Sequence, residues 1–442
     1  MRTVPEQRLR FTRVRHRLPE PRDRLRGKER TAVKEYVIIG NGTAAVGCVE
    51  GIRSVDPDGP ITILSKESRP VYSRPLISYY LEGKTDLDRM RYRPADFYEK
   101  NGCRVLIGET ATRIDSSSKS VSTDRGGEIS YDALCVAAGS SPFVPPFEGL
   151  ESVDQKFTFQ TLDDALALES ALSKDARVLI VGAGLIGLKC AEGIAERVGS
   201  ITVCDLADRV LSSILDSECA ALIQRHLEEK GIRFALSDSV VRFDGHSASL
   251  KSGTEVDFDI LVLAVGVRAN TGLIREAGGE VNRGILVNES MQTSVPDVFA
   301  AGDCAEGFDF SFGAKRVLAI LPNAYMQGYT AGVNMAGGTA SFSNAIPMNS
   351  IGFFGLHLMS AGTYEGEMIE DKGDGILKRF FVKDGRLKGF ILIGATDRAG
   401  IYTSLIREGT PLDTIDFDSA VKMASNSVFS QKTRRFKFGG VV

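Results

Sequence analysis

Two copies of one strand–glycine turn–helix pattern predict an α/β protein built on parallel sheets. In each copy a short apolar strand enters a glycine-rich turn and continues as a helical pattern, in 36–52 and in 177–195. A second apolar strand follows each helix, at 61–65 and at 201–205. These are two βαβ units, and two of them in one chain indicate two dinucleotide sites. One glycine motif would be weak evidence, but its repetition in the same context argues against chance.

The glycine spacing has the same physical reason in both units. The first glycine makes the tight turn, the second lets backbone approach a pyrophosphate, and the third position must be small for helix–strand packing. The start of the following helix then offers free N–H groups to the phosphates. These three positions are Gly40, Gly42 and Ala45 in the first unit and Gly182, Gly184 and Gly187 in the second.

The ends of the two second strands distinguish the two predicted sites. Asp205 closes the second unit, where a carboxylate accepts hydrogen bonds from the ribose of NAD and repels the 2′-phosphate of NADP. We therefore expect a preference for NADH over NADPH; the alternative is an acid that merely ends a strand. The first unit ends in Ser65, Lys66 and Glu67, with no acid in the standard place. Its ribose contact is therefore left unassigned.

Composition and cysteine spacing argue against several classes of function. The formal net charge of -3 gives no argument for nucleic acid or an anionic membrane as partner. No apolar run reaches the roughly 18 residues that a membrane-spanning helix needs. The seven cysteines are dispersed and form no C-x-x-C pair, so no metal or cluster site is expected. Such a set is typical of reduced thiols in a cytoplasmic protein.

Five motifs, in order along the chain, resemble those of the pyridine nucleotide–disulfide oxidoreductase superfamily of flavoproteins. Two are the glycine turns, and three more are the segments Leu134–Gly139, Leu261–Gly266 and Val298–Asp303. The resemblance implies that the first unit binds FAD, that the second binds NAD(H), and that Asp303 holds the ribityl chain of FAD. It also implies two Rossmann-like domains of the three-layer, glutathione-reductase-like type and a C-terminal α+β interface domain.

The order of these motifs implies an interleaved domain organisation. The FAD-binding domain would comprise 34–148 and 273–338, with the NAD-binding domain inserted at 149–272 and the interface domain at 339–442. Residues 1–33 are rich in arginine and proline and are expected to be a disordered basic leader. A basic arm for an acidic partner is the alternative for this segment. No nucleotide motif begins before Tyr36.

The segment 71–80 narrows the resemblance to one branch of the superfamily. It is similar to the Y-x-R-P-x-L-S signature of rubredoxin, ferredoxin and nitrite reductase-type reductases, with Arg74 as its arginine. No cysteine lies between Cys48 and Cys103, where thiol-dependent members carry one, so thiol–disulfide chemistry is not expected. Lys189 stands where many members place a glutamate. It is a candidate for tuning the flavin together with Arg74, or it covers the helix surface.

The resemblance implies two sets of cofactor contacts and no catalytic side chain that acts as an acid or base. The FAD contacts would be Gly40, Gly42, Ala45, Ser65, Lys66, Arg74, Ala111, Ala138, Gly139, Gly302, Asp303, Ala324 and Gln327. The NAD contacts would be Gly182, Gly184, Gly187, Asp205 and Gly266. For Gln327, the alternative is a helix that only packs on the FAD-binding domain.

The function that the resemblance implies is an FAD-dependent NADH oxidoreductase working with an external iron–sulfur carrier of ferredoxin or rubredoxin type. The direction of electron flow is open, and NAD reduction by the carrier is included. One alternative is an NADH oxidase that uses dioxygen or a small oxidant. An alternative of another class is an NADH-responsive flavoprotein that acts as an interaction switch. A monomer and a homodimer are both compatible with the sequence.

Overall fold

The computed structural model describes residues 33–437, so the predicted leader lies outside the described residues except for Val33. The chain up to the second glycine motif alternates helices with strands and short hairpins. Its elements are β1 (Tyr36–Ile39), α1 (Thr43–Arg53), β2 (Ile61–Ser65), α2 (Leu76–Leu81), α3 (Phe97–Lys100), β3 (Cys103–Ile107), β4 (Ala111–Asp115), β5 (Ser120–Thr123), β6 (Glu128–Ser130), β7 (Ala133–Val136), β8 (Ser140–Pro142), β9 (Lys156–Phe157) and α4 (Leu162–Ala171).

The second glycine motif begins a similar series. It comprises β10 (Arg177–Val181), α5 (Leu185–Ile194), β11 (Ser200–Asp205), α6 (Ser217–Glu228), β12 (Ile232–Leu236), β13 (Val240–Asp244), β14 (Ser247–Leu250), β15 (Glu255–Asp257), β16 (Ile260–Leu263), β17 (Val267–Ala269) and α7 (Gly272–Glu276). The rest of the described chain contains β18 (Ile285–Leu286), β19 (Val298–Ala300), β20 (Ala305–Asp309), β21 (Ala314–Arg316), α8 (Leu321–Met335), β22 (Met348–Phe353), β23 (Leu356–Gly362), β24 (Glu367–Gly373), β25 (Ile376–Lys383), β26 (Arg386–Ile393), α9 (Ala399–Arg407), α10 (Phe417–Lys422) and α11 (Gln431–Lys437).

The two glycine motifs each begin a five-stranded parallel sheet, which confirms the predicted α/β class. The first sheet has the order β19-β7-β1-β2-β3, and the second has the order β12-β11-β10-β16-β9. The central strands β1 and β10 are almost continuously apolar because helices and hairpins cover both faces of a parallel sheet. β19 belongs to the first sheet although it follows the whole second unit in the chain. The domain limits given above stay predictions.

Close packing between α1 and α8 sets the position of the start of α8. A Cβ on Gly47 would lie 2.3 Å from the carbonyl oxygen of Tyr325, and one on Gly328 would lie 2.0 Å from that of Ala44. Real side chains do not tolerate such distances, so the two helices touch through backbone at these glycines. Because α1 begins directly after the first glycine turn, this contact brings the first turn of α8 next to that turn.

The last part of the described chain forms an antiparallel sheet with helices packed on it. Its strand order is β22-β23-β26-β25-β24, and α9 and α10 share an apolar core with it. Phe353, at the end of β22, is instead buried in the core of the second parallel sheet. No helix among residues 33–437 is long and apolar enough to cross a membrane.

Candidate functional site

A cavity of about 470 Å³ opens at the carboxyl ends of β1, β2 and β7. This is the edge of a parallel sheet at which α/β proteins bind ligands, because the loops that follow the strands diverge there. Segments far apart in the chain meet around it. The lining residues are 40–44, 65–70, Tyr72, Arg74, 137–142, Thr158, Gln160, Thr161, Asp163, Asp164, Asn270, 301–303, Leu321 and Ala324.

The first glycine turn forms one wall of the cavity, and its two glycines have different constraints. Gly40 has a φ of +108°, and a Cβ there would lie 2.1 Å from the carbonyl oxygen of Ala137. Any side chain at Gly40 would therefore disrupt the contact between β1 and β7. A Cβ on Gly42 would meet no atom within 4 Å. The space beside Gly42, at the start of α1, is therefore left open for a ligand that approaches the helix N-terminus.

A half-buried polar network forms a second wall. Arg74 donates to the Glu67 carboxylate and, at 3.2 Å, to the backbone carbonyl of Gln160. The Tyr72 hydroxyl donates to Glu67 at 2.7 Å and accepts from the N–H of Leu162 at 2.8 Å. Burial by itself would lower the pKa of Arg74, but the charge and hydrogen bond of Glu67, together with Tyr72 and Asp303, outweigh burial and raise that pKa. The network therefore holds the Arg74 guanidinium beside the cavity, paired with the Glu67 carboxylate.

Asp303 supplies a carboxylate to the same cavity. Its Oδ2 accepts from the Ser140 hydroxyl at 3.2 Å, and Ser140 in turn accepts from the side-chain amide of Gln160. Burial raises the pKa of Asp303, while the Ser140 hydrogen bond and the charge of Arg74 act against that rise. A half-buried carboxylate with spare acceptor sites suits the hydroxyl groups of a sugar or polyol chain.

Two buried amide atoms at the cavity have no partner within the described part of the chain. They are Nδ2 of Asn41 and Oε1 of Gln160. Buried polar groups are normally hydrogen-bonded, so such atoms indicate a ligand that completes them. Together with the open space at Gly42 and the Asp303 carboxylate, they fit the phosphates, hydroxyls and ring amides of FAD. No group of three His, Cys, Asp or Glu side chains in residues 33–437 could hold a metal ion.

Most residues proposed for FAD from the sequence converge on this cavity. Those that line it are Gly40, Gly42, Ser65, Lys66, Arg74, Ala138, Gly139, Gly302, Asp303 and Ala324. Three others do not line it. Ala45 is buried in the packing of α1, Ala111 begins β4, and Gln327 accepts from the N–H of Gly302 at 2.9 Å through its side-chain oxygen. Gln327 thus contacts the Gly302 turn and does not line the cavity.

Sequence reasoning missed the polar partners Glu67, Tyr72, Ser140 and Gln160. A signal for two of them was present in the sequence. Tyr72 lies inside the segment that resembles carrier reductases, and Gln160 directly precedes the N-cap of α4. That cap is a capping box between Thr161 and Asp164, visible as a T-x-x-D pattern. Neither Glu67 nor Ser140 stands in a pattern that would have marked it.

The second glycine turn has the same geometry at the carboxyl ends of β10 and β11. Gly182 has a φ of +118°, while a Cβ on Gly184 would meet no atom within 4 Å. A Cβ on Gly187 would lie 2.0 Å from the carbonyl oxygen of Gly182, so this position must be glycine for α5 to pack. Gly266, predicted as a further contact, follows β16 with a φ of +108°.

Asp205 anchors the second glycine turn at the end of β11. Its Oδ2 accepts from the N–H of Ala183 at 2.6 Å, and its Oδ1 accepts from the N–H of Ala207 at 2.8 Å. Each carboxylate oxygen can accept a second hydrogen bond. Asp205 can therefore hold the turn and still accept from the two hydroxyls of a ribose.

Lys189 is not among the residues that line the cavity. Its ammonium pairs with Glu192 and donates to the carbonyl oxygen of Gly352 at 3.2 Å, and it lies 4.6 Å from the ring centroid of Tyr79. Glu192 also accepts from the N–H of Phe354 at 2.6 Å. The pair thus ties α5 to α2 and to the turn between β22 and β23, in a mostly buried position.

Replacing Lys189 by methionine is expected to lower the free energy of unfolding by about 3–5 kcal/mol, because it leaves the Glu192 carboxylate buried without its counter-charge. The side chains of Lys189 and Glu192 are 17% and 5% exposed. Urea unfolding of the flavin-loaded proteins measures the difference. Lys383→Met is the matched control: its pair with Glu365 is exposed, so the expected loss is below about 1 kcal/mol. Equal losses in the two variants would contradict this account.

The cysteines lie away from the cavity lining, which contains none. Six are buried and Cys103 is half-buried, with no disulfide among the described residues. Cys304 follows Asp303 directly, but its Sγ donates to the carbonyl oxygen of Val136 at 3.3 Å, and burial raises its pKa to about 12. The thiol therefore stays protonated at neutral pH and turned away from the cavity.

Iodoacetamide at neutral pH is expected to leave NADH-dependent reduction of the flavin unchanged. Burial raises the pKa of Cys103, the most accessible thiol, to about 11. Since the thiolate is the nucleophile, its labelling should be slow at neutral pH and should accelerate until the pH passes that value. Mass spectrometry against pH measures this, with glutathione as a thiol of ordinary pKa for comparison. Rapid labelling of Cys304 at neutral pH, with loss of reduction, would show a thiol that reaches the flavin.

Known protein families and proteins match most of the residues that the structure describes. The profile of a family described as pyridine nucleotide-disulphide oxidoreductase matches residues 34–328, and one described as rubredoxin NAD+ reductase C-terminal domain matches 347–410. The chain is 31% identical to the NADH-dependent phenylglyoxylate dehydrogenase subunit epsilon of Aromatoleum evansii, over 86% of this chain and 92% of that one. It is 35% identical to an NADH oxidase of Methanocaldococcus jannaschii, over 69% and 71%.

Among solved structures, the covalent putidaredoxin reductase–putidaredoxin complex is similar to this fold. Its TM-score is 0.82 at 23% identity, and the similarity covers 93% of this chain and 100% of that chain. At this level of identity the likeness concerns the fold. It confirms the predicted arrangement of two dinucleotide-binding folds and a C-terminal domain.

Proposed function

Since the chain belongs to the pyridine nucleotide-disulphide oxidoreductase family, we propose that it passes electrons between NAD(H) and a separate iron–sulfur carrier protein. It is an FAD-dependent NAD(P)H oxidoreductase, as its family and relatives show. The observation that carries the proposal of a carrier is the match of 347–410 to the C-terminal domain of rubredoxin NAD+ reductases. The direction of electron flow is part of what the experiment below decides.

The composition of the cavity lining supports this proposal. In thiol-dependent flavoproteins a cysteine next to the flavin takes the electrons. Among the described residues, the lining of the FAD cavity contains neither cysteine nor histidine. The half-buried Arg74–Glu67 pair and Asp303 are suited to binding and to setting local charge. This lining therefore supports an acceptor outside the part of the chain that the structure describes.

Each residue set has a distinct task in this function. Bound FAD supplies the chemistry, since it exchanges two electrons with a nicotinamide and single electrons with an iron–sulfur centre. Gly42 and the start of α1 would hold the pyrophosphate, and Asp303 the ribityl hydroxyls. Arg74, held by Glu67, would place a positive charge beside the bound group. Asp205 and the second glycine turn would hold NAD(H).

An NADH oxidase is the second candidate, favoured by the relative of Methanocaldococcus jannaschii that bears this name. In that case dioxygen or another small oxidant takes the electrons directly. The fold by itself hosts both activities, so only the identity of the acceptor separates them.

Anaerobic NADH oxidation with and without a carrier tests the proposal. We expect an acidic [2Fe–2S] ferredoxin or rubredoxin to raise the rate above the carrier-free value. The reverse assay, with the reduced carrier and NAD+, measures the direction. If neither carrier raises the rate while dioxygen does, the oxidase is the correct function.

A further inference from the structure

A groove of about 230 Å³ lies between the loop that joins β20 to β21 and the C-terminal sheet. Its apolar wall comes from Phe310, Leu387 and Ile406, and its rim carries Arg386 and Lys388. Nothing in the proposed NADH or FAD sites uses these residues. The groove is therefore a separate surface feature, formed where the β20–β21 hairpin meets the start of β26 and the end of α9.

The hairpin beside the groove exposes two aromatic rings and a cation in a fixed arrangement. Phe310 and Phe312 are 41% and 49% exposed. The Arg316 guanidinium lies 3.9 Å from the ring centroid of Phe312. The fully buried Asp309 holds the loop, since its Oδ1 accepts from the N–H of Ser311 at 2.9 Å. Exposed aromatic and arginine side chains on a rigid loop are typical of protein interfaces.

The lining of this groove contains two basic side chains, Arg386 and Lys388, and no acidic one. Lys315, Arg316 and Arg386 are exposed and Lys388 is half-buried, and in residues 33–437 neither Lys315 nor Lys388 has an ion-pair partner. The nearby acids are the buried Asp309, which pairs with Arg316 at 3.5 Å, and the exposed Asp384, Glu408 and Asp413. The lining of the groove is thus positive on a chain whose net charge is -3.

Both ends of the hairpin continue into the wall of the FAD cavity. β20 begins two residues after Asp303, and α8 begins five residues after Arg316 at Leu321, which lines the cavity. Five residues span at most about 18 Å even when fully extended. A protein docked on the hairpin would therefore lie close to the cavity that would hold FAD.

From this placement we infer that the β20–β21 hairpin and the adjoining groove are the docking surface for an acidic iron–sulfur carrier. The inference rests on the proposed function. Carboxylates of the carrier face Lys315, Arg316, Arg386 and Lys388, and an apolar side chain enters the groove beside Phe310. Opposite charge speeds the encounter, and the exposed rings supply the contact area.

The test is the double substitution Lys315→Glu and Lys388→Glu, assayed by anaerobic NADH oxidation with an acidic [2Fe–2S] ferredoxin. At low ionic strength we expect the KM for ferredoxin to rise at least about tenfold, because the steering charges are reversed. The effect should shrink as salt screens the charges. NADH oxidation with the neutral quinone menadione should be unchanged, which shows that the flavin and NADH sites are intact.

The matched control is Lys230→Glu with Lys251→Glu, which makes the same change in net charge at two exposed lysines of the second unit. Its KM for ferredoxin should stay within about twofold of the wild type. Carbodiimide cross-linking of the wild type to ferredoxin should join Lys315 or Lys388 to carrier carboxylates. An unchanged KM in the test variant, or cross-links confined to other lysines, places the docking surface elsewhere.

Two further outcomes separate this inference from its premise. A wild type that reduces neither ferredoxin nor rubredoxin contradicts the proposed function and the docking surface with it. A test variant whose oligomeric state changes in sedimentation velocity, with an unchanged KM for ferredoxin, shows that a second copy of this chain occupies the groove.

Discussion

Gly42→Val is expected to give a folded protein that contains no FAD. Gly42 has a φ of -101° and a ψ of -166°, an extended conformation that valine adopts readily. A Cβ there meets no protein atom within 4 Å, so the fold itself accepts the side chain. The added atoms fill the space through which a pyrophosphate reaches the start of α1. A clash of about 3 kcal/mol already lowers affinity about a hundredfold.

The ratio of flavin absorbance to polypeptide, measured on purified protein, reports this loss, and circular dichroism reports the fold. Gly184→Val is the matched control, since Gly184 has the same open surroundings in the second unit. It should retain FAD and lose NADH-dependent reduction, while dithionite still reduces its flavin. Gly40→Val should fail to fold, because its Cβ would meet the backbone of Ala137. A yellow, fully loaded Gly42→Val protein would overturn the assignment of the first site.

Asp205→Ser is expected to raise the KM for NADH by roughly 10–100-fold, because lost hydrogen bonds to a charged group are worth about 1.5–3 kcal/mol. The carboxylate has two tasks at this position. It would accept from the ribose hydroxyls, and it already holds the N–H groups of Ala183 and Ala207. Loss of the negative charge also removes the repulsion of a 2′-phosphate, so NADPH should improve relative to NADH.

Steady-state kinetics with both nucleotides measure this shift, at constant FAD content. Asp244→Ser, an exposed aspartate at the end of β13, is the control and should leave both KM values unchanged. A wild type that uses NADPH better than NADH would contradict the interpretation that Asp205, at the end of β11, selects NADH. A variant with an unchanged ratio of the two nucleotides would show that Asp205 serves only to hold the turn.

The two nucleotide folds were predictable from the sequence because their determinants are local. Strand, glycine turn and helix lie within about 30 residues of each other in a βαβ unit, and each has its own pattern of apolar and small residues. Gly40 and Gly182 illustrate this, since both have the positive φ that the tight turn requires. The family resemblance extended this local information to the cofactors and to Asp303.

Tertiary structure alone decided which side chains complete the site. Ser140 donates to Asp303 across more than a hundred residues of chain and accepts from Gln160 in turn, and no local pattern encodes such a meeting. The same holds for Lys189, whose position on α5 left two interpretations open. Its partners Tyr79 and Gly352 come from α2 and β22, and only the packing of three separate segments brings them together. Local sequence thus determined the turns that hold the cofactors, whereas the contacts between distant segments, which depend on the whole fold, determined the polar network around them.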